Sequence, residues 1–207
     1  MSHEPPHPKA ILNAMKRMIR ERNAWDEDPE AGCFYRVDDG SVETFPFLIA
    51  PAVWHSLGDP KKVLRFIEQM LSAPANEPQQ TFATAVRNHT PDSLCGTYLR
   101  CEGWTAPKHR REEMARRRQA GHRLPRFKEM PDRVEMRMCT GVDATGRVYM
   151  AVQERNQPEM DALYEGMDGA TGLGGAVPDL LKQLTTLLTT PVAVSPADQH
   201  HPARPEQ

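Results

Sequence analysis

Val134, Met136 and Met138 alternate with Glu135 and Arg137, and after Asp143-Ala-Thr-Gly146 the alternation resumes at Val148, Met150 and Val152. A side-chain period of two marks a strand, and a short Gly-containing turn between two such runs joins them as antiparallel neighbours. This hairpin commits the chain to an antiparallel sheet, and every other element has to fit that frame. A second pair of β-like runs, 33–37 and 42–49, flanks the turn residues Asp38, Asp39 and Gly40. Pro46 lacks an N–H, so the second run is expected at a sheet edge or a bend. Residues 94–104 read as a further strand with mixed faces.

Three helices complete the frame. In 8–25, Ile11, Leu12, Met15, Met18 and Ile19 recur at helical spacing behind Pro8, which suits a first helical turn. Lys16, Arg17, Arg20 and Arg22 give that helix a basic outer surface, and the acidic run 26–30 ends it. In 59–73, Asp59 caps and Pro60 opens a helix whose apolar face is Val63, Leu64, Phe66, Ile67, Met70 and Leu71. The third, 178–189, carries Leu180, Leu181, Leu184, Leu187 and Leu188. Residues 74–80 read as a linker, 81–86 fit helix or strand equally, and 156–175 read as a loop. Adjacent antiparallel strands with interspersed helices predict an α+β fold: an antiparallel sheet of about five strands with three helices.

The hydrophobic fraction, 39% of 207 residues, is low for a chain folded throughout. The deficit sits partly at the ends, where 1–7 and 191–207 are rich in Pro, His, Gln and Asp and are expected to be disordered tails. They bracket a single domain over 8–190, with a basic insertion at about 105–130. No run of 18 apolar residues exists, so no membrane span is expected. The N-terminus lacks the build of a secretory signal, and four cysteines are too few to staple a chain of this length. Both point to a cytoplasmic protein with free, buried thiols.

The net charge is only −2, but it is unevenly spread. Residues 105–128 hold Lys108, Arg110, Arg111, Arg116, Arg117, Arg118, Arg123, Arg126 and Lys128 against Glu112 and Glu113, a formal +7 in 24 residues. Phosphate backbones attract such clusters through Coulomb attraction and counterion release, and guanidinium forks onto phosphate or carboxylate oxygens. Trp104, His109 and Phe127 could stack on unpaired bases. The competing expectation is a solvated loop, or an arm paired with the acidic run 26–30.

Other chemistry has thinner support. Half of the eight histidines (His3, His7, His200, His201) lie in the tails, including the one His-x-x-x-His spacing, His3 to His7, and no Cys-x-x-Cys occurs. Cys95 and Cys101 share a strand face by parity, yet at about 3.3 Å per residue they would stand roughly 20 Å apart, too far for one ion. Neither metal nor cofactor is expected. No Gly-x-Ser-x-Gly elbow or P-loop is present, and the glycines of 169–175 read as a flexible connection. Parity places Gly96, Tyr98, Arg100, Glu102 and Trp104 on one strand face, expected to be half-exposed with Glu102 toward solvent.

Leu99-Arg-Cys-Glu-Gly-Trp104, Arg123-Leu-Pro-Arg-Phe-Lys128 and Pro131-Asp-Arg-Val-Glu-Met-Arg-Met138, with the closing hairpin, resemble a protein group of actinobacteria and their phages. That group carries a Glu-x-Trp strand followed by a Pro-Asp-Arg-Val-Glu strand. The resemblance covers about residues 94–155 and implies no particular activity. It implies that Glu102, Trp104, Asp132, Arg133 and Glu135 form one arrangement about the sheet, with Asp132–Arg pairs bracing the base of the insertion. Two expectations follow. One is a non-catalytic accessory protein whose insertion contacts nucleic acid or an acidic partner. The other is an enzyme with a site around Glu102, Trp104 and His89.

Overall fold

The computed structural model describes residues 6–22, 24–72, 93–168 and 173–190. Residues 1–5, 191–207, the linker at 74–80, the ambiguous run 81–86, His89 and glycines 169 and 172 lie outside the described residues. The elements are α1 (Pro8–Arg20), β1 (Glu30–Arg36), β2 (Val42–Pro46), α2 (Pro51–Leu57), α3 (Pro60–Leu71), β3 (Leu94–Thr105), α4 (Lys108–Gln119), a 3-10 turn η1 (Phe127–Glu129), β4 (Val134–Asp143), β5 (Val148–Glu154), β6 (Met160–Tyr164) and α5 (Ala176–Thr189). The fold is α+β with one antiparallel sheet, of six strands rather than about five, in the order β2-β1-β3-β4-β5-β6.

The α1 stripe buries Ile11, Met15 and Ile19 against Phe34, Tyr98, Cys139 and Tyr149 on one sheet face. The other face packs Cys33, Leu99, Cys101 and Val142 against Val63, Leu64 and Ile67 of α3 and Leu181 and Leu184 of α5. Both faces of the central strands are therefore covered, which removes the half-exposed face expected for β3. Asp59 caps α3 by accepting from the Lys61 N–H at 2.9 Å. Edge strand β2 ends at Pro46, as the missing N–H requires. In the β4–β5 turn, the Asp143 carboxylate accepts from Thr145 N (2.8 Å), Arg147 N (3.0 Å) and Tyr149 OH (2.6 Å).

Several sequence expectations are corrected. The first helix stops at Arg20 rather than at residue 25, although residues 21–25 include good helix formers. The carbonyls of Arg22 and Ala24, which a longer helix would use internally, are taken instead by the Arg137 guanidinium of β4. Two helices, α2 and α4, join the expected three, and β6 occupies part of the predicted 156–175 loop. Cys95 and Cys101 face opposite sides of the sheet. The β1–β3 register shifts between Phe34 and Tyr35, so Cys95 turns toward α1 while Cys101 packs against the α3–α5 side. All four thiols are free and buried. Among the described residues no helix is long and apolar enough to cross a membrane.

Candidate nucleic-acid interface

The basic insertion leaves β3 at Thr105 and returns into β4 at Val134. Its first half is a helix because Arg, Glu, Met, Ala and Gln are all favourable helix formers. Gly121, at φ +75°, closes α4 in the left-handed conformation, and the His122 N–H donates to the Arg117 carbonyl at 2.9 Å. That six-residue return bond is the Schellman ending that glycine favours. Among the described side chains of α4, Met114 is the one buried apolar group, and it meets Ala106 and Met130 in a small satellite cluster.

Ion pairs also anchor the first turn of the helix. Arg110 Nη1 donates to both carboxylate oxygens of Asp132, each at 3.0 Å. Arg111 donates through Nε to the Ala106 carbonyl at 2.9 Å and pairs with Glu154 at the end of β5. The bond from Arg110 holds the Asp132 carboxyl below its ordinary range. The remaining cations are not used this way. Arg116, Arg117, Arg123 and Lys128 are exposed and make no ion pair with any described residue, while Arg126 pairs with Glu129 at 3.6 Å. The side chains of Lys108 and Arg118 lie outside the described set. The acidic run 26–30 is engaged elsewhere: Glu27 by Arg22 at 2.7 Å, Asp28 by His55 at 2.9 Å, and Glu30 by Arg100 at 2.8 Å.

Glu102 does not face solvent. Its side chain is 11% exposed and accepts from Arg137 Nε at 3.1 Å and from the Asp26 N–H at 2.7 Å, with Arg22 Nη1 at 3.5 Å. Arg22 and Arg137 are themselves only 4% and 6% exposed. Burial, with repulsion from Arg100, lowers the Arg22 pKa from its ordinary value. The carboxylates of Asp26, Glu102 and Glu135 come within 4.8 Å of one another, the described group within reach of one cation. Arg22 and Arg137 hold Glu102, and Arg155 pairs with Glu135, so the web balances most of its own charge.

Two indoles flank this web. Trp104, opposite Glu135 in the β3–β4 register, is 37% exposed and lies 4.5 Å beneath the Arg133 guanidinium. Trp25 has Arg137 at 4.3 Å and Arg155 at 5.1 Å from its ring centre. Phe127 in η1 is likewise exposed, at 38%. Sequence reasoning singled out Trp104, Glu102 and Asp132 but missed Trp25, Arg22, Arg137 and Arg155. The signal available was Trp25 beside the acidic run and Arg137 among the alternating residues of β4, and nothing local marked Arg22 or Arg155. No protein-family model, curated protein or solved structure matches this chain.

Proposed function

We propose that this protein is a non-catalytic accessory protein of the reducing cytoplasm that holds the phosphate backbone of a nucleic acid on α4 and the segment following it. One observation carries the reading: α4 is pinned through Arg110 and Arg111, leaving Arg116, Arg117, Arg123 and Lys128 exposed and unpaired among the described residues. Like-charged side chains on so small an element repel one another, and a polyanion relieves that repulsion while releasing its own counterions. Exposed Trp104 and Phe127 beside the helix favour nucleic acid over an acidic protein surface, since bases offer flat faces to stack on. The enzyme reading has weaker support, because Glu102 is only 11% exposed and is enclosed by Arg137, Arg22 and the Asp26 N–H, so little of it is open to a substrate. Changing Arg116, Arg117 and Arg123 together to Glu tests the proposal by gel shift against single- and double-stranded DNA and RNA. The expected result is loss of binding with an unchanged circular dichroism spectrum. Retained binding overturns the proposal.

A further inference from the structure

Two hollows lie on either side of the turn that follows β5. One, of about 390 Å³, is lined by Trp25, Arg20, Arg22, Arg137, Gln153 and Pro158. The other, of about 450 Å³, is lined by Trp104, Arg133 and Arg155. Glu154, Asn156 and Gln157 belong to both and form the ridge between them. Each hollow is within the ~300–1,000 Å³ range of small-ligand sites. Each offers the same three chemical elements: an indole, guanidinium groups and side-chain amides.

We infer that this pair of hollows is a track for unpaired bases, which makes the nucleic acid bound by the protein a single strand. The inference rests on the α4 reading and specifies its ligand. Arg133 covers Trp104 at 4.5 Å and leaves the indole partly open, so an incoming base extends an existing cation–π stack. Arg155 joins the hollows, lining the second while standing 5.1 Å over the Trp25 ring of the first. Asn156 adopts a left-handed φ of +73°, which asparagine tolerates better than most residues. Gln157 donates one amide hydrogen to Glu154 at 3.1 Å, which orients the group. Its remaining N–H and its oxygen, with the Asn156 amide, are donors and acceptors of the kind that read exposed base edges.

The acids of the groove do not oppose this assignment. Glu154 is paired with Arg111 and Glu135 with Arg155, so neither presents a bare charge to a phosphate. The Arg111–Glu154 pair also ties the first turn of α4 to the ridge, placing the phosphate-binding helix beside the base-binding hollows. In a duplex the bases are stacked inside and cannot reach indoles at the protein surface. A flexible single strand can lay its backbone along α4 and turn successive bases into the groove.

The test uses intrinsic tryptophan fluorescence of the full chain at low salt. It is titrated with a deoxyuridylate dodecamer and a uridylate dodecamer, which differ only in the sugar, and with a DNA duplex of equal length. The chain has three tryptophans, and buried Trp54 serves as an internal reference for the fold. Single strands are expected to quench Trp25 and Trp104 and to bind about tenfold or more tighter than the duplex. The relative affinity of the two dodecamers identifies the sugar. Trp104→Ala and, separately, the double change Asn156→Ala with Gln157→Ala are expected to abolish that preference while duplex binding remains. Equal binding of single strand and duplex without quenching overturns the base track and leaves the α4 reading standing. No binding of any nucleic acid overturns both.

Discussion

Glu102→Ala removes the acceptor at the centre of the arginine web. The change leaves Arg137, 6% exposed, and Arg22, 4% exposed, facing each other without the carboxylate between them. Removing one partner of a buried ion pair costs about 3–5 kcal/mol, because the other charge stays buried and unpaired. Arg22 keeps Glu27 at 2.7 Å and the Asp28 carbonyl, and Arg137 keeps the carbonyls of Arg22 and Ala24, so the lower end applies. At about 2–4 °C per kcal/mol for a chain of this size, a loss of roughly 3 kcal/mol lowers Tm by about 6–12 °C. Thermal melting and urea unfolding should agree, with the midpoint shifted and the m-value unchanged. Trp25 fluorescence should change as well, since Arg137 stacks on that ring. Pairing Glu102→Leu with Arg137→Met is expected to recover only part of the loss. It removes the buried unpaired charge of Arg137 but leaves the carbonyls of Arg22 and Ala24 and the Asp26 N–H without their partners. A fall in Tm below about 2 °C for Glu102→Ala would show that the web is not energetically coupled, and the reasoning would fail.

Three further outcomes are expected. A Cβ at Gly32 would meet the Phe45 carbonyl at 2.4 Å and the Tyr98 hydroxyl at 2.6 Å, so Gly32→Ala should destabilise by about 1–3 kcal/mol in urea unfolding. Burial raises the Cys33 and Cys95 thiols to about 12 and Cys101 to about 11, so all three should resist a disulfide reagent at pH 8 until urea exposes them. Because these values are raised on folding, the associated stability is complete below the ordinary thiol value of 9.0 and lost as pH climbs through 11 to 12, measurable as a falling Tm. Asp132→Ala should speed tryptic cleavage within residues 105–130 by releasing Arg110. Since its carboxyl value is depressed, the intact pair persists at neutral pH and dissolves only as pH falls below the ordinary 3.8.

Local signals were readable in the sequence and distant ones were not. The α1 stripe, the Asp59–Pro60 helix start and the Asp143–Gly146 turn each lie within a few residues of the structure they specify. By contrast, Glu102 meets Arg22 across 80 positions and Arg137 across 35, and no periodicity within β3 announces either partner. The same distance hid the end of α1, which is set by a side chain on β4. Strand β6 is only five residues long, too short for alternation to stand out beside the polar run that precedes it. The Cys95 face inverted because one register shift in the β1–β3 ladder reverses parity, and a shift depends on the neighbouring strand. The cationic insertion was legible as composition, but its helix rests on Asp132 and Glu154, which lie outside it in sequence.

The measurement that tests the central claim most directly is the salt dependence of binding to a labelled single strand by fluorescence anisotropy. Four exposed cations, Arg116, Arg117, Arg123 and Lys128, engaging phosphates should give a slope of log K against log salt near −3, at about −0.7 per contact. Reversing the three arginines to Glu should remove most of that slope together with the binding. A wild-type slope near zero, or a slope untouched by the reversal, would contradict the assignment of α4 as the phosphate-binding element.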